Sequence, residues 1–495
     1  MRANRRSVVE VAGFVSVMVI AALTRLWNLG YPARLVFDET YYVKDALTLS
    51  REGHEKSWPD GADAAFQSGD VLGYLDQAAF VVHPPLGKWL ISTGIWFTGF
   101  DQSTGWRLST AILGIATVGL LMLVALKLFR SFPIAILAGF LLAVDGLAIT
   151  LSRTALLDAS LTFFLLLGFW FFLFDQQSSR IRITQAIESS RNSMLWFRPW
   201  LVLTGVALGA ASSIKWSGLY LLAGIGLYVV VSEALLRRNS GESNWFRKGI
   251  LLQGTFSFLS LVPAAVATYL LTWLGWIIGT GGYLRNWATD NPPTGLFALV
   301  PDWMLSLWRY HEMIYSFHVN LTKEHSYEAH PLGWLVGLRP TAFFYESYPQ
   351  GTNGCQIAEG CSSAITALGN PFIWISSTAA LIYIIYRYAR HRERVLGLVL
   401  LGTASLYLPW IILSERTVFQ FYVVSFQPWL ILGLVLAIQQ LRRKLLAKSK
   451  KLANATTVGF VALTFVSFVF FLPINTGIYL PYELWQLRMW LPSWI

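Results

Sequence analysis

Charge is scarce in this chain: only 13% of its 495 residues are Asp, Glu, Lys or Arg, against 55% hydrophobic and 15% aromatic. That excludes a soluble globule, which needs far more polar surface around its core, and leaves a polytopic membrane protein. Cysteine is nearly absent. Cys355 and Cys361 are the only two, and the seven histidines are scattered, so no Cys/His zinc spacing arises. Between the cysteines, a short disulfide and two free thiols stay equally open. There is no Walker loop, no glycine-rich dinucleotide fingerprint and no internal repeat. The net charge of +11 calls for no nucleic-acid partner, because the basic residues are distributed as a topology signal.

What the chain has instead is apolar runs. Hydropathy predicts about eleven spans, near residues 8–28, 107–129, 132–150, 155–174, 199–213, 217–236, 249–275, 371–388, 395–413, 419–438 and 454–473. The first lacks a cleavage site followed by a soluble chain and is read as a retained span. Arg2, Arg5 and Arg6 ahead of it put the N-terminus in the cytoplasm, and most other basic residues fall in connections on that same side. Most acids fall on the other. The expectation is an all-α membrane protein, one integral domain over 1–495. Its large external loops cover 29–106 and 276–370, and its external tail 474–495. Trp89 to Phe100 and Phe297 to Trp308 are too short to span and suit helices lying along the interface.

Ionisable residues at a membrane edge are expensive to desolvate and mark pathways or reaction centres. The pair Asp38 and Glu39, set among aromatics directly after the first span, is the foremost example. Arg25, near the outer end of that span, needs a carboxylate partner or a route to the interface. Arg107 opens the second span at the same level and is the preferred phosphate ligand, since its planar fork can hold a phosphate bidentately, with an interfacial anchor as the alternative. His83 and Lys88 flank a diproline that resists helix and can face an anionic head group, or simply end a turn. Asp145, Arg153 and Asp158 crowd the outer turn between spans three and four, with Arg153 either bridging the acids or facing a ligand. Lys215 and Arg416 mark further outer turns, and Gln420 and Tyr422 follow Arg416. These basic residues suit one anion-binding ring, or separate snorkelling to the interface. His325 and Tyr327 give the second loop a polar and aromatic mixture fit for sugar or peptide, or for an amphipathic lid.

Taken together, these residues resemble the protein O-mannosyltransferase family, lipid-phosphate-mannose-dependent enzymes of the GT-C class. Asp38-Glu39 is similar to its first-loop acidic pair, His83-Pro84-Pro85-Leu86-Gly87-Lys88 to its diproline motif, and Arg25 and Arg107 to arginines of spans one and two. Asp145 to Asp158, Lys215-Trp216-Ser217-Gly218, His325-Ser326-Tyr327-Glu328 and Arg339-Pro340 follow in the family's order. Arg416 to Tyr422 resembles the late motif loosely. Cys361 to Trp374 is similar to the bacterial branch, and the second loop is too short for the sugar-binding-like domain of fungal and animal members.

The resemblance implies inverting transfer of mannose from a polyprenyl-phosphate-mannose donor to Ser or Thr hydroxyls of secreted or membrane proteins. The enzyme would sit in a bacterial plasma membrane with its site on the outer face, with membrane lipid and the secretion translocon as further partners. It assigns Asp38 as general base, Glu39 as a positioning or donor-side acid, Arg107 as stabiliser of the leaving phosphate and Arg25 as the group that holds the acidic pair. No metal cage is evident, and Mg2+ dependence stays open. Two alternatives remain: a GT-C transferase acting on lipid or glycan, and a transporter. A transporter would show related halves and acids near the midplane.

Overall fold

The computed structural model describes residues 2–352 and 355–495. The side chains of Arg2, Arg5 and Arg6, on which the predicted orientation rests, lie outside the described residues. Each of the eleven apolar segments is helical. α1 (Arg2–Leu26) leads to α2 (Glu39–Glu52), α3 (Ala62–Gln67) and α4 (Leu86–Thr98) in the first large loop. α5 (Ser103–Phe129), α6 (Phe132–Ala143), α7 (Gly146–Ser152), α8 (Asp158–Glu188), α9 (Pro199–Ser212) and α10 (Gly218–Asn239) follow. A π-helical turn, Arg247–Gln253, runs into α11 (Gly254–Thr272). The second large loop holds α12 (Leu274–Ile278), α13 (Trp287–Asp290) and α14 (Asp302–Val319), and α15 (Pro371–His391), α16 (Arg394–Ile412), α17 (Gln427–Leu446), α18 (Lys450–Thr476) and α19 (Tyr482–Gln486) complete the chain.

Among the described residues, eight helices are long and apolar enough to cross a membrane, and the α6 and α7 pair makes a ninth if taken as one bent span. α9 has only 14 residues, fewer than the roughly 20 of a full crossing, and α17 ends on Arg442, Arg443 and Lys444. The predicted span at 132–150 is not straight. α6 and α7 meet at 64°, because the Asp145 carboxylate accepts a bond from Ala148 N (3.2 Å) and caps α7. The interfacial helices exist with shifted ends: α4 starts directly after the diproline, and α14 lies mostly beyond the predicted 297–308.

The helical bundle carries one small addition. The second loop and the tail build a small antiparallel sheet of β1 (Ala342–Tyr348), β2 (Cys361–Thr366) and β3 (Leu480–Pro481) in that order. A disulfide joins Cys355 to Cys361 at the turn between β1 and β2. In β1 the polar and aromatic residues Tyr345, Glu346 and Ser347 alternate across two faces, as a half-exposed strand requires. β2 is buried throughout and packs against α18 and α7, which roots the sheet on the helical bundle. Over the first loop, α14 buries Tyr310 and Ile314 against Trp273 and Trp276. The Tyr310 hydroxyl donates to Val81 O (3.2 Å) and accepts from Val81 N (3.1 Å), which ties the two loops together.

Candidate active site

The acidic pair is split by the backbone. Phe37 sits in the left-handed region, φ 51°, a conformation costly for a bulky residue and kept only where packing enforces it. The packing is aromatic: the Phe37 ring stacks on Phe343 at 4.7 Å and meets Phe421 edge-on at 5.7 Å. This turn starts α2 and gives the two carboxylates different surroundings. Glu39 is fully buried. It accepts from Arg107 Nε and Nη2, both at 2.8 Å, from Ala155 N at 2.8 Å and from Val36 N at 3.0 Å. Asp38 is half-buried; its backbone carbonyl accepts from Tyr41 N and Tyr42 N, while its carboxylate, among the described residues, takes part in no hydrogen bond or ion pair. Burial pushes its carboxyl up to about 6, with Lys215 opposing the rise and Asp158 adding to it.

Four predicted ligand residues prove to be committed elsewhere. Arg107 is fully buried. Besides Glu39 it donates to Leu29 O (3.3 Å), Pro32 O (3.0 Å) and Arg34 O (2.9 Å). All of its guanidinium hydrogens are thereby used, so no donor is left for a phosphate. Arg25 does not hold the acidic pair. It donates to Leu142 O (3.1 Å) and Ala143 O (3.2 Å), closing the C-terminal end of α6. Arg153 does not bridge the acids, for it donates to Thr24, Arg25, Trp27 and Asn28 carbonyls at the end of α1. Helix ends buried in a membrane need such donors, since no water reaches their carbonyls. Lys88 is buried too, paired with Glu55 Oε1 at 2.5 Å and donating to His83 O at 3.1 Å. It fixes the diproline turn. Next to it, burial lifts Asp45 to about 7, against the pull of Lys88.

Other predicted residues do converge on Asp38. Lys215 pairs with Asp158 Oδ2 at 2.7 Å, and its ammonium lies 5.1 Å from the Tyr422 ring. The His83 ring lies 6.2 Å from Tyr42 and 5.3 Å from His318. His318 Nδ1 faces Arg416 Nη2 at 3.5 Å, and its Nε2 donates to Val82 O at 2.9 Å. Burial, then the cations Lys215 and Arg416 among its neighbours, holds His83 well below the usual histidine range. Burial likewise lowers His318 to about 4. Both rings are therefore neutral at pH 7. Among the described residues Arg416 makes that one long hydrogen bond, its guanidinium lies 5.9 Å from the Trp410 ring, and its buried Nε has no partner, so this guanidinium has donors to give. The arrangement is a cluster of one carboxylate unpartnered among the described residues and two cations, Lys215 and Arg416, around neutral imidazoles.

His318 was missed because the predicted interfacial helix stopped at Trp308; with α14 extended to Val319, His311 and His318 stand two turns apart on one face. His311 is satisfied by Tyr269 OH (2.7 Å) and stacks on Trp216 at 5.8 Å, bracing the residue next to Lys215. Gln420 is buried and accepts from Arg339 N at 3.1 Å, which makes it a support for the second loop. His325 is exposed at the rim, 5.0 Å from Phe419 and 6.5 Å from Phe37, and its Nδ1 accepts from Tyr327 N at 3.0 Å. Among the described residues no three His, Cys, Asp or Glu side chains gather as a metal cage.

Comparison with known proteins gives two family matches: "Dolichyl-phosphate-mannose-protein mannosyltransferase" over residues 102–276 and "C-terminal four TMM region of protein-O-mannosyltransferase" over 304–494. The polyprenol-phosphate-mannose–protein mannosyltransferase of Mycolicibacterium smegmatis is 31% identical, over 97% of this chain and 92% of the relative. That of Mycobacterium tuberculosis is 30% identical, over 97% and 90%. Among solved structures, the Saccharomyces cerevisiae Pmt1-Pmt2 complex bound to the sugar donor superposes with a TM-score of 0.74 at 16% identity, over 98% of this chain and 92% of that one. The archaeal oligosaccharyltransferase AglB from Archaeoglobus fulgidus gives 0.51 at 13%, over 95% and 56%. At these identities the likeness is one of fold.

Proposed function

Since the chain belongs to the protein O-mannosyltransferase family, we propose that Asp38 is the base and Arg416 with Lys215 the anion site of its mannosyl transfer. The enzyme is a multi-pass membrane glycosyltransferase of GT-C fold that moves mannose from polyprenyl-phosphate mannose to protein. The observation that carries the site assignment is the Asp38 carboxylate, unpartnered among the described residues, with Lys215 as its charged neighbour and with Arg416, whose buried Nε is unused, on the shared neighbour Tyr422.

In the reaction, the acceptor Ser or Thr oxygen forms a bond to the anomeric carbon as the bond from that carbon to the phosphate oxygen breaks. The hydroxyl proton passes to Asp38 and the electron pair leaves with the lipid phosphate. A carboxyl near 6 remains mostly ionised at pH 7 and is a stronger base than a solvated aspartate. Arg416 and Lys215 neutralise the charge growing on the phosphate in a site partly shielded from water, where each contact counts for more. The neutral His83 offers a donor to the same anion without competing for the acceptor proton. Glu39 and Arg107 act on the chemistry only through Asp38, by fixing the turn that presents it. One displacement of this kind inverts the anomeric centre.

The positive-inside pattern supports an N-terminus in the cytoplasm and a site on the outer face of a bacterial plasma membrane. The large loops 29–106 and 276–370 and the tail from 474 then form an outer roof. An acceptor reaching a membrane-level base has to be extended, which favours delivery during secretion and makes the translocon a partner. The test offers purified protein polyprenyl-phosphate mannose together with a Ser/Thr peptide, a lipid and a glycan acceptor, and reads products by mass. One added hexose on the peptide alone is the expected result; transfer to lipid or glycan in its place would favour the other GT-C reading.

A further inference from the structure

Away from the reaction centre, at the opposite end of the bundle, α15, α17 and α18 part to leave a cavity of about 410 Å³. Its wall is apolar where α17 contributes Leu434, Ala437 and Ile438. Its mouth is cationic, with Arg442 and Lys444 at the end of α17. Arg442 spends one donor on Asn454 (3.2 Å), while Lys444 and the Gln440 amide have no partner among the described residues. The lining hydroxyls of Thr456 and Thr457 bond back to their own helix, to Leu452 O and Ala453 O, both at 2.9 Å, and leave the wall apolar.

A slot with a greasy floor and a basic lip, opening sideways from a helical bundle at a membrane surface, has the chemistry of a phospholipid site. Chains fill the floor and a phosphate meets the lip, as in basic pockets between helices on the cytoplasmic side. Charge supports an anionic head group in particular. Arg442, Arg443 and Lys444 are followed in the same connection by Lys448, Lys450 and Lys451, with no acid from Arg442 to Lys451 to offset them. A zwitterionic lipid would leave that excess uncompensated. We infer that the groove between α15, α17 and α18 binds one anionic phospholipid of the cytoplasmic leaflet. Its phosphate lies against Lys444 and Arg442 beside Gln440, and an acyl chain lies along α17 between Ala379 and Phe460.

The site joins three helices at the end remote from Asp38, so the lipid acts as a clamp on the bundle and takes no part in sugar transfer. That separation makes it testable apart from the catalytic assignment. The full-length protein, purified in nanodiscs of phosphatidylglycerol with phosphatidylcholine, is released and its retained lipid is read by native mass spectrometry. The wild type is expected to keep phosphatidylglycerol over phosphatidylcholine by about tenfold or more, since each basic residue at a head group favours the anion substantially. The Arg442→Ala, Lys444→Ala double variant is expected to lose the preference to within about twofold. Ala379→Phe, which fills the groove and leaves the lip intact, is expected to lower retention of both lipids. Mannosyl transfer by all three serves as the check that the bundle is intact. Equal retention of the two lipids by the wild type, which depends on no variant folding, would overturn the inference. So would a preference that survives the double substitution, or a second copy of the chain occupying the groove in the native spectrum.

Discussion

Arg107 grips both carboxylate oxygens of Glu39 at 2.8 Å, and this buried pair decides which of two adjacent acids is free to react. Glu39 has every lone pair engaged; Asp38 has none. Two neighbouring carboxylates thereby take separate roles, one holding the turn and one left unpartnered among the described residues.

The first prediction concerns that grip. Truncating one partner of a buried ion pair strands the other charge, at a cost of roughly 3–5 kcal/mol. Arg107→Ala should therefore lower the thermal unfolding midpoint sharply, with activity lost in proportion to folded protein. Arg107→Lys, which keeps the charge and loses the fork, should fall between. A stable Arg107→Ala protein with a selective rise in donor KM would instead return Arg107 to the phosphate.

Asp38 should behave in the opposite way. Its folded-state pKa, about 6, lies above that of a solvated aspartate, so keeping it ionised at pH 7 costs the fold stability. Asp38→Asn removes that cost. The variant should melt no earlier than the wild type while kcat falls by about 10²- to 10⁴-fold, the span typical of a lost general base.

Activity should also follow pH through that group. A base must be unprotonated to act, so with a carboxyl near 6 kcat/KM is expected to be level above about pH 7 and to fall roughly tenfold per unit well below pH 6. A profile flat down to pH 4.5, measured with the protein still folded, would remove Asp38 from the rate equation.

Arg416→Ala should act on the donor. Loss of one donor to a developing anion typically costs about 10²- to 10³-fold, and here it is expected in kcat/KM for polyprenyl-phosphate mannose, with the acceptor peptide KM unchanged. Lys215→Met should show a similar loss plus destabilisation, because it strands Asp158.

The membrane segments were legible in the sequence because hydropathy sums over some twenty residues and tolerates local error. Side-chain pairing has no such averaging. Arg25 and Arg107 both stand near the outer ends of apolar spans, and nothing in their spacing says that Arg107 turns to Glu39 while Arg25 closes the end of α6. Arg153 reads as a charge in need of an acid, but its partners are four carbonyls of α1, invisible to any count of charged residues. The bend at Asp145 follows from one capping bond. His318 fell outside the site because the end of an interfacial helix carries weak signals. What the sequence did convey was that Asp38, Asp158, Lys215 and Arg416 are charged residues interrupting apolar runs at one membrane level.

A single-turnover measurement on enzyme preloaded with polyprenyl-phosphate mannose bears most directly on the central assignment. A Ser/Thr peptide is added, and wild type and Asp38→Asn are compared for mannosyl peptide formed per enzyme. Asp38→Asn should bind donor as the wild type does yet transfer at least about a hundredfold more slowly. Transfer at the wild-type rate from a donor-loaded Asp38→Asn enzyme would contradict the assignment of Asp38 as the base.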